Sequence, residues 1–351
     1  MRALGFLRRG RLVGAGALLA AFVLVGLGLA VGQSNELTVI LPGGTLARAY
    51  RKNVVEPLEK KHNARVNVVT GLTMENLAKL RAQKGNPQID VVIFDPPGAI
   101  PAAKEGLLEP LDPEKIPNMK SLYPWAIQKD RFYVTWLTAN QVLAYNTKFV
   151  KEPPTSWADL WKPEYKGKVV LPDISTSHGV YFLSIVSKMQ TGGDLYNTDA
   201  AFEKVKSLRD HVLTFYTSHD QVAQLLNSGE AWLVPWTSDR ALSQVAAKAP
   251  IAAVVPREGA IYWTSEMGIP RGARGKALAE KYIDLAMSPE VQTMNAREVF
   301  IGPSNRTVTL EGDLANNLPY GERLKQLIAP DWDKLDQLRS TWTDRWNREI
   351  R

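Results

Sequence analysis

The chain has 351 residues, 45% of them hydrophobic and 23% charged, with no cysteine, ten tryptophans and a formal net charge of +7. That length suits two ordinary domains with a sizeable core, and that composition excludes a largely disordered chain. Lack of cysteine excludes disulfides, thiolate-bound zinc, iron–sulfur clusters, a catalytic thiol and a lipidated N-terminal cysteine.

Where the charge lies matters more than its sum. Arg2, Arg8, Arg9 and Arg11 precede residues 12–31, a run without a single charge. A basic stretch followed by an apolar one is the pattern of a secretory signal peptide, so residues 1–32 are expected to be a leader. Ala30 and Gly32 place small side chains at −3 and −1 for a cut after Gly32. A cut after Ala30 is the alternative, and an uncleaved anchor is the rival reading, since about 20 apolar residues can span a bilayer. Removing residues 1–32 takes away four arginines and no acid, leaving 39 basic against 36 acidic residues, a net of +3. With no long basic run in the remainder, no nucleic-acid partner is expected.

After residue 36 the chain alternates short apolar runs with capped helical segments. Residues 37–41 (LTVIL) read as a strand ending in Pro42-Gly43-Gly44, and Thr45 opens a helix through about Lys61 with Leu46, Tyr50, Val54 and Leu58 on one face. Residues 65–69 (RVNVV) are a second strand, and Thr73 caps a helix carrying Leu77 and Leu80. Residues 90–94 (DVVIF) are a buried-type strand, continuous rather than alternating, with Asp95 and two prolines opening the next helix. The β-α-β-α-β order implies a parallel sheet. Residues 131–145 are extended; Ser156 and Ser218 each begin a capping box; residues 168–171, 231–236 and 252–255 are further strands; Ser288-Pro289 starts a helix. Trp332, Leu335, Leu338, Trp342 and Trp346 recur at helical spacing, a stripe expected to pack into the core rather than to touch a ligand. In such a fold ligands bind where strand ends meet helix starts.

Nine segments stand in order along the chain: IDVVIF (89–94), EGLLEPL (105–111), LAYNTKF (143–149), PTSWADLW (154–161), GKVVLPD (167–173), LLNSGE (225–230) followed by Trp236, YWTSEMGIP (262–270), ALAEKYIDLAMSP (277–289) and GPSN (302–305). Together they resemble the spermidine/putrescine-binding-like group of bacterial ABC-transporter solute-binding proteins. The resemblance implies an α/β, two-lobed periplasmic-binding-protein fold of type II, with the ligand cleft between lobes and two hinge crossings. Lobe one would hold residues 37–138 plus 266–308, and lobe two 139–265 plus 309–351, with crossings near 138–140 and 263–266. It further implies a monomeric periplasmic receptor that captures a small solute, a polyamine or other organic amine, and delivers it to an ABC-transporter membrane permease, with no cofactor. An anionic or zwitterionic solute (phosphonate, carboxylate) and ferric iron are the alternatives, and a secreted hydrolase the reading outside the class.

By that resemblance the first-lobe contacts are Gly44, Thr45 and Asp95, the second-lobe contacts Ser175, Thr176 and Ser177, and the flanking indoles Trp236 and Trp263. An indole face attracts an aliphatic ammonium by roughly 0.5–2 kcal/mol. Asp239 adds an acceptor. Ser265 stands where polyamine-binding relatives carry an acid, and Glu266 beside it points to the opposite face of an extended segment. Replacing Trp236 with Ala is expected to weaken binding without unfolding the protein. His62, His178, His211 and His219 show no metal spacing, and no metal site is expected. Ser177, His178 and Asp173 contain the residue types of a hydrolytic triad, but neighbours in one segment seldom meet its geometry, so no catalysis is expected.

Overall fold

Continuous apolar runs in the sequence become strands buried on both faces, and the capped segments between them become the helices that cover those faces. The computed structural model describes residues 35–351. The expected leader, its cut and the anchor alternative all lie outside the described residues. Eleven strands form one sheet: β1 (Glu36–Leu41), β2 (Arg65–Thr70), β3 (Val91–Phe94), β4 (Leu108–Glu109), β5 (Val134–Asn146), β6 (Val169–Pro172), β7 (Val212–Tyr216), β8 (Leu233–Thr237), β9 (Ile251–Val254), β10 (Tyr262–Pro270) and β11 (Gly302–Pro303). Their order is β2-β1-β3-β10-β5-β8-β6-β7, with β4 on β10 and with β9 and β11 on β5.

The sheet is mixed: the strands of the first β-α-β-α-β run are parallel, as expected, but the whole sheet is not. β1 lies parallel to β2 and β3, and β6 lies parallel to β7 and β8, but β10 runs antiparallel to β3 and β5 at the centre. The reason is topological: β10 returns along β5 after the chain has built β6 to β9, so it arrives in the opposite direction. Both long strands join the two halves. β5 pairs through its first part with β10 and through Gln141–Tyr145 with β8. A register shift falls between Ser265 and Glu266 of β10.

The first helical segment covers Thr45–His62 but is not uniform. Pro57 has no N–H to give, and the turn before it, Arg51–Val55, widens into a π-helix. The helix Thr73–Ala82 is capped at Leu72 rather than Thr73; Glu75 accepts the Leu72 N–H at 3.2 Å, and Thr73 Oγ1 is spent accepting the Asp95 N–H at 3.1 Å. Ser218 likewise precedes its helix, His219–Ser228, without a side-chain capping bond. Ser156 forms its capping box as expected.

The C-terminal helix Trp332–Glu349 buries Leu335, Trp342 and Trp346, the core stripe read from the sequence. It touches both halves of the molecule. Trp332 stands edge-on to Tyr181 at 5.5 Å, Trp346 edge-on to Phe215 at 5.6 Å, and Asp333 pairs with Lys104 of the helix Pro96–Lys104 at 2.6 Å. Among the described residues no helix is long and apolar enough to cross a membrane.

Candidate functional site

Each parallel strand ends in a turn that starts a helix, and these turns converge on one cavity of about 530 Å³. β1 delivers Gly43 and Gly44, β2 delivers Leu72 and Thr73, and β3 delivers Asp95. From the other side β6 delivers Ser175–Ser177, β7 delivers Ser218 and His219, and β8 delivers Asp239 and Arg240. Trp263 and Ser265 of the crossing strand β10 complete the wall. The volume lies within the range of small-molecule sites, about 300–1,000 Å³.

Eight of the ten residues expected at the site line this cavity: Gly44, Asp95, Ser175, Thr176, Ser177, Asp239, Trp263 and Ser265. Gly44 has φ 75°, and a Cβ there would stand 3.2 Å from Arg240 Nη1, so glycine suits both the backbone and the neighbour. Thr45 lies just behind the wall, where its Oγ1 accepts a hydrogen bond from Arg240 Nη1. Trp236 is a correction. Only 1% of it is exposed, it packs with Val142, Val170, Tyr216, Val222 and Leu226, and it does not line the cavity. Its truncation is therefore expected to cost stability, against the sequence-based expectation. The indole is packed under the helix His219–Ser228, whose Val222 and Leu226 share its core cluster, instead of facing the cleft.

Two arginines missed by the sequence reading shape the cavity. Arg240, 12% exposed, forms an ion pair through Nε with Asp239 Oδ2 at 3.3 Å and donates from Nη2 to Gly43 O at 3.4 Å, so it links the facing walls. It follows Asp239 in the first turn of a helix, a position that could have been read from the β8 turn. Arg339 comes from the C-terminal helix. Its Nη2 donates to Ser175 O at 3.1 Å, while Nη1 is buried with no hydrogen-bond partner among the described residues. Burial holds this guanidinium below its ordinary pKa, against the opposing pull of Tyr181 and Asp95. Nothing in the local sequence marks Arg339, since the helix carries seven other charged residues and reads as solvated on that face.

Asp95 lies near Arg339. Burial lifts its carboxyl to about 6, against hydrogen bonding from Ser177 and the nearby Arg339 charge. Ser177 Oγ donates to Asp95 Oδ2 at 3.1 Å. Asp239, 6% exposed, is already spoken for by Thr237 Oγ1 at 2.6 Å and by Arg240. The carboxylates inside the cleft are thus one paired and one without a cationic partner at bonding distance. Glu266 faces away from the cavity, as the alternation of the strand predicts; Thr135 Oγ1 donates to it at 3.3 Å, and burial pushes its pKa well up. Ser265, on the cavity side, ties β10 to β3 by donating to Phe94 O at 3.1 Å.

The turn 173–177 is built by its own side chains. Asp173 Oδ1 accepts the Ser175 N–H at 2.9 Å, and Thr176 Oγ1 donates to Asp173 O at 2.7 Å and accepts the Gly179 N–H at 3.1 Å, capping the helix Ser177–Thr191. Arg351 Nη2 closes on Asp173 Oδ2 at 2.5 Å. Asp173 therefore faces Ser175 and Arg351, and His178 makes no hydrogen bond to Ser177 or Asp173, so these residues do not assemble a triad. Trp263, 8% exposed, stands edge-on to His178 at 5.5 Å, and His178 lies 5.0 Å from His219. Among the described residues no three His, Asp or Glu side chains cluster to hold a metal ion.

A two-lobed α/β protein whose strand-end turns enclose one cleft between the halves has the architecture of a periplasmic-binding-protein fold. Residues 86–338 match the family described as bacterial extracellular solute-binding protein, and the chain belongs to that family. Among curated relatives, the spermidine/putrescine-binding periplasmic protein of Escherichia coli K12 is 29% identical over 204 residues, 56% of this chain and 58% of that protein, so the match spans little more than half of each. The gamma-aminobutyric acid-binding protein of Pseudomonas aeruginosa is 27% identical over 301 residues, 82% of each chain. A crystal structure of an ABC transporter protein from Clostridium perfringens superposes with a TM-score of 0.71 at 26% identity, covering 90% of this chain and 100% of that one.

Proposed function

We propose that the chain is the periplasmic solute receptor of an ABC importer and that its cleft takes a small zwitterion, an acid at one end and an ammonium at the other. One observation carries the solute class: the buried charges of the cleft are two guanidiniums, Arg240 and Arg339, against two carboxylates, Asp95 and Asp239. A set that is neutral overall best accepts a guest that is neutral overall, since an unbalanced charge brought into a desolvated site costs several kcal/mol. Arg339 Nη1 offers an unused donor for the acid, and Asp95 offers an acceptor for the ammonium. The gamma-aminobutyric acid named for the Pseudomonas relative has that pattern of ends.

The mechanism is hinge closure. The lobes 37–138 plus 266–308 and 139–265 plus 309–351 turn about crossings near 138–140 and 263–266. A solute that touches both walls shifts the population towards the closed form, which then docks on a membrane permease. The receptor works as a monomer, released into the periplasm after loss of its leader, and performs no chemistry on the solute.

A second reading, a diamine or polyamine, is supported by the name of the E. coli relative and by Glu75 and Asp220 at the exposed rim of the cavity, which add negative charge at its mouth. Calorimetric titration with gamma-aminobutyrate, 2-aminoethylphosphonate, succinate and putrescine separates the two. Binding of either zwitterion in preference to putrescine and succinate is expected. Binding of putrescine alone sinks the zwitterion reading in favour of the polyamine.

A further inference from the structure

Trp236, although absent from the cavity wall, makes one polar contact that reaches it. Its Nε1 lies 3.0 Å from His219 Nδ1, and the His219 ring lines the cleft. An indole N–H can only donate, so Nδ1 must present its lone pair. A neutral imidazole with Nδ1 unprotonated carries its proton on Nε2. An imidazolium, with both nitrogens protonated, cannot accept this bond at all. We infer that His219 donates a hydrogen bond from Nε2 to the acid end of the captured solute, and that Trp236 is the positioning residue that fixes this tautomer. The inference rests on the zwitterion reading of the same cleft.

Three further observations fit it. The His219 side chain makes no other hydrogen bond among the described residues, so Nε2 is uncommitted. Trp236 is immobilised by the core of the second lobe, which fixes the direction of the bond in advance of binding. Burial, with the neighbouring His178 and the Arg240 guanidinium, holds His219 well below the ordinary histidine pKa, so the ring stays neutral by two independent causes. The donor is thus directional and uncharged. It favours an oxygen acceptor such as a carboxylate or phosphonate, and it has nothing to offer a bare ammonium. This orients the solute: acid towards His219, ammonium towards Asp95.

The test uses the mature protein with nitrogen-15-labelled histidine and needs no solute for its first half. Long-range proton–nitrogen NMR should show His219, assigned by its loss in His219→Phe, protonated at Nε2 alone. Trp236→Phe keeps an aromatic ring in the core but lacks the N–H, and both tautomers should then appear. Protonation at Nδ1 in the wild type overturns the inference. In the second half, calorimetry with gamma-aminobutyrate and 2-aminoethylphosphonate should show affinity falling about tenfold in His219→Phe, the worth of one hydrogen bond to a charged acceptor. A fall of only a few fold is expected in Trp236→Phe, and near-wild-type affinity in His219→Gln, whose amide N–H restores a donor. Unchanged affinity in His219→Phe, with the zwitterions still bound by the wild type, overturns the donor role and spares the zwitterion reading. Wild-type silence towards both zwitterions overturns that reading and the donor role together, while the tautomer result still judges Trp236.

Discussion

Ser177 Oγ donates to Asp95 Oδ2 at 3.1 Å, joining residues 82 apart in sequence from opposite walls of the cleft. Each comes from the turn that follows a parallel strand, β3 for Asp95 and β6 for Ser177. Arg240 makes the complementary crossing, from the β8 turn to Gly43 and Thr45. Both contacts engage groups that a solute would need. On the hinge closure proposed above, closure and recognition would draw on the same side chains, and an entering solute would have to exchange its bonds for these.

The raised Asp95 carboxyl has a consequence for stability. Its folded pKa, about 6, exceeds its unfolded value, so between about 4 and 6 the native state binds more protons than the unfolded one. Asp95 thus contributes stability that is present below pH 4 and lost as pH rises through 6. Asp95→Asn removes that slope and, without solute, should stabilise the protein at pH 7 by on the order of 1–2 kcal/mol once screening by water in the cleft is allowed for. Urea unfolding of both forms at pH 4.5 and 7 checks it. Glu266 is raised chiefly by burial but also by the Asp95 charge, so Asp95→Asn lowers its share of the slope as well. A variant no more stable than wild type at pH 7 counts against the assignment.

The same group makes binding pH-dependent in the opposite direction. An ammonium needs the Asp95 anion, and a proton competes for it below about pH 6. Affinity for a zwitterion should be flat above pH 7 and fall by up to about tenfold per unit below pH 6. Calorimetry across pH 5–8 measures this directly. Asp95→Asn should abolish both the affinity and its slope; a wild-type profile flat to pH 5 would separate Asp95 from the ammonium.

Arg339 should discriminate acids from amines. Arg339→Met keeps an apolar stem and removes the guanidinium whose Nη1 is uncommitted. A hydrogen bond to a charged group is worth about 1.5–3 kcal/mol, so acid-bearing solutes should bind about 10–100-fold more weakly. Putrescine should be unaffected. Equal losses for both classes would place Arg339 in a purely structural role, holding Ser175.

Strand-end turns were the part of the site that could be read without coordinates. Gly44, Asp95 and Ser175–Ser177 follow apolar runs and precede helical spacing, and that order alone puts them at one edge of a sheet. Two kinds of information were not local. Trp236 and Trp263 occupy similarly buried strands, yet only Trp263 also lines the cleft, a difference set by what packs against each indole and not by the local sequence. Arg339 reaches the cleft only through the docking of a helix more than 150 residues beyond the Ser175 turn. The stretch around Ser265 and Glu266 reads only as an extended segment, and the antiparallel entry of β10 is set by the chain's return path. The Trp236 difference is measurable: Trp236→Ala empties a core site and should cost about 3–5 kcal/mol in urea unfolding. Wild-type stability in that variant would refute the core assignment.

The last prediction concerns how the Ser175–Ser177 turn is held. Gly179, in the first turn of the helix Ser177–Thr191, packs so closely on the preceding turn that an added Cβ would meet the Asp173 carbonyl and stand 2.6 Å from Ile174 Cα. These are backbone atoms, so no side chain can rotate away, and the helix would have to retreat by roughly 1 Å. That retreat would stretch the Thr176 cap, the Ser177–Asp95 bond and the Arg339–Ser175 bond at once. Gly179→Ala should therefore destabilise by about 1–3 kcal/mol and weaken solute binding by on the order of tenfold to hundredfold, as small misplacements of positioned groups do. Gly192→Ala is the control at the other end of the same helix. There φ is 74° and a Cβ meets nothing within 4 Å, so the cost is backbone strain of about 1 kcal/mol, far from the cleft. Stability should fall in both variants and affinity in Gly179→Ala alone; equal affinities would show that the turn does not need this contact to bind.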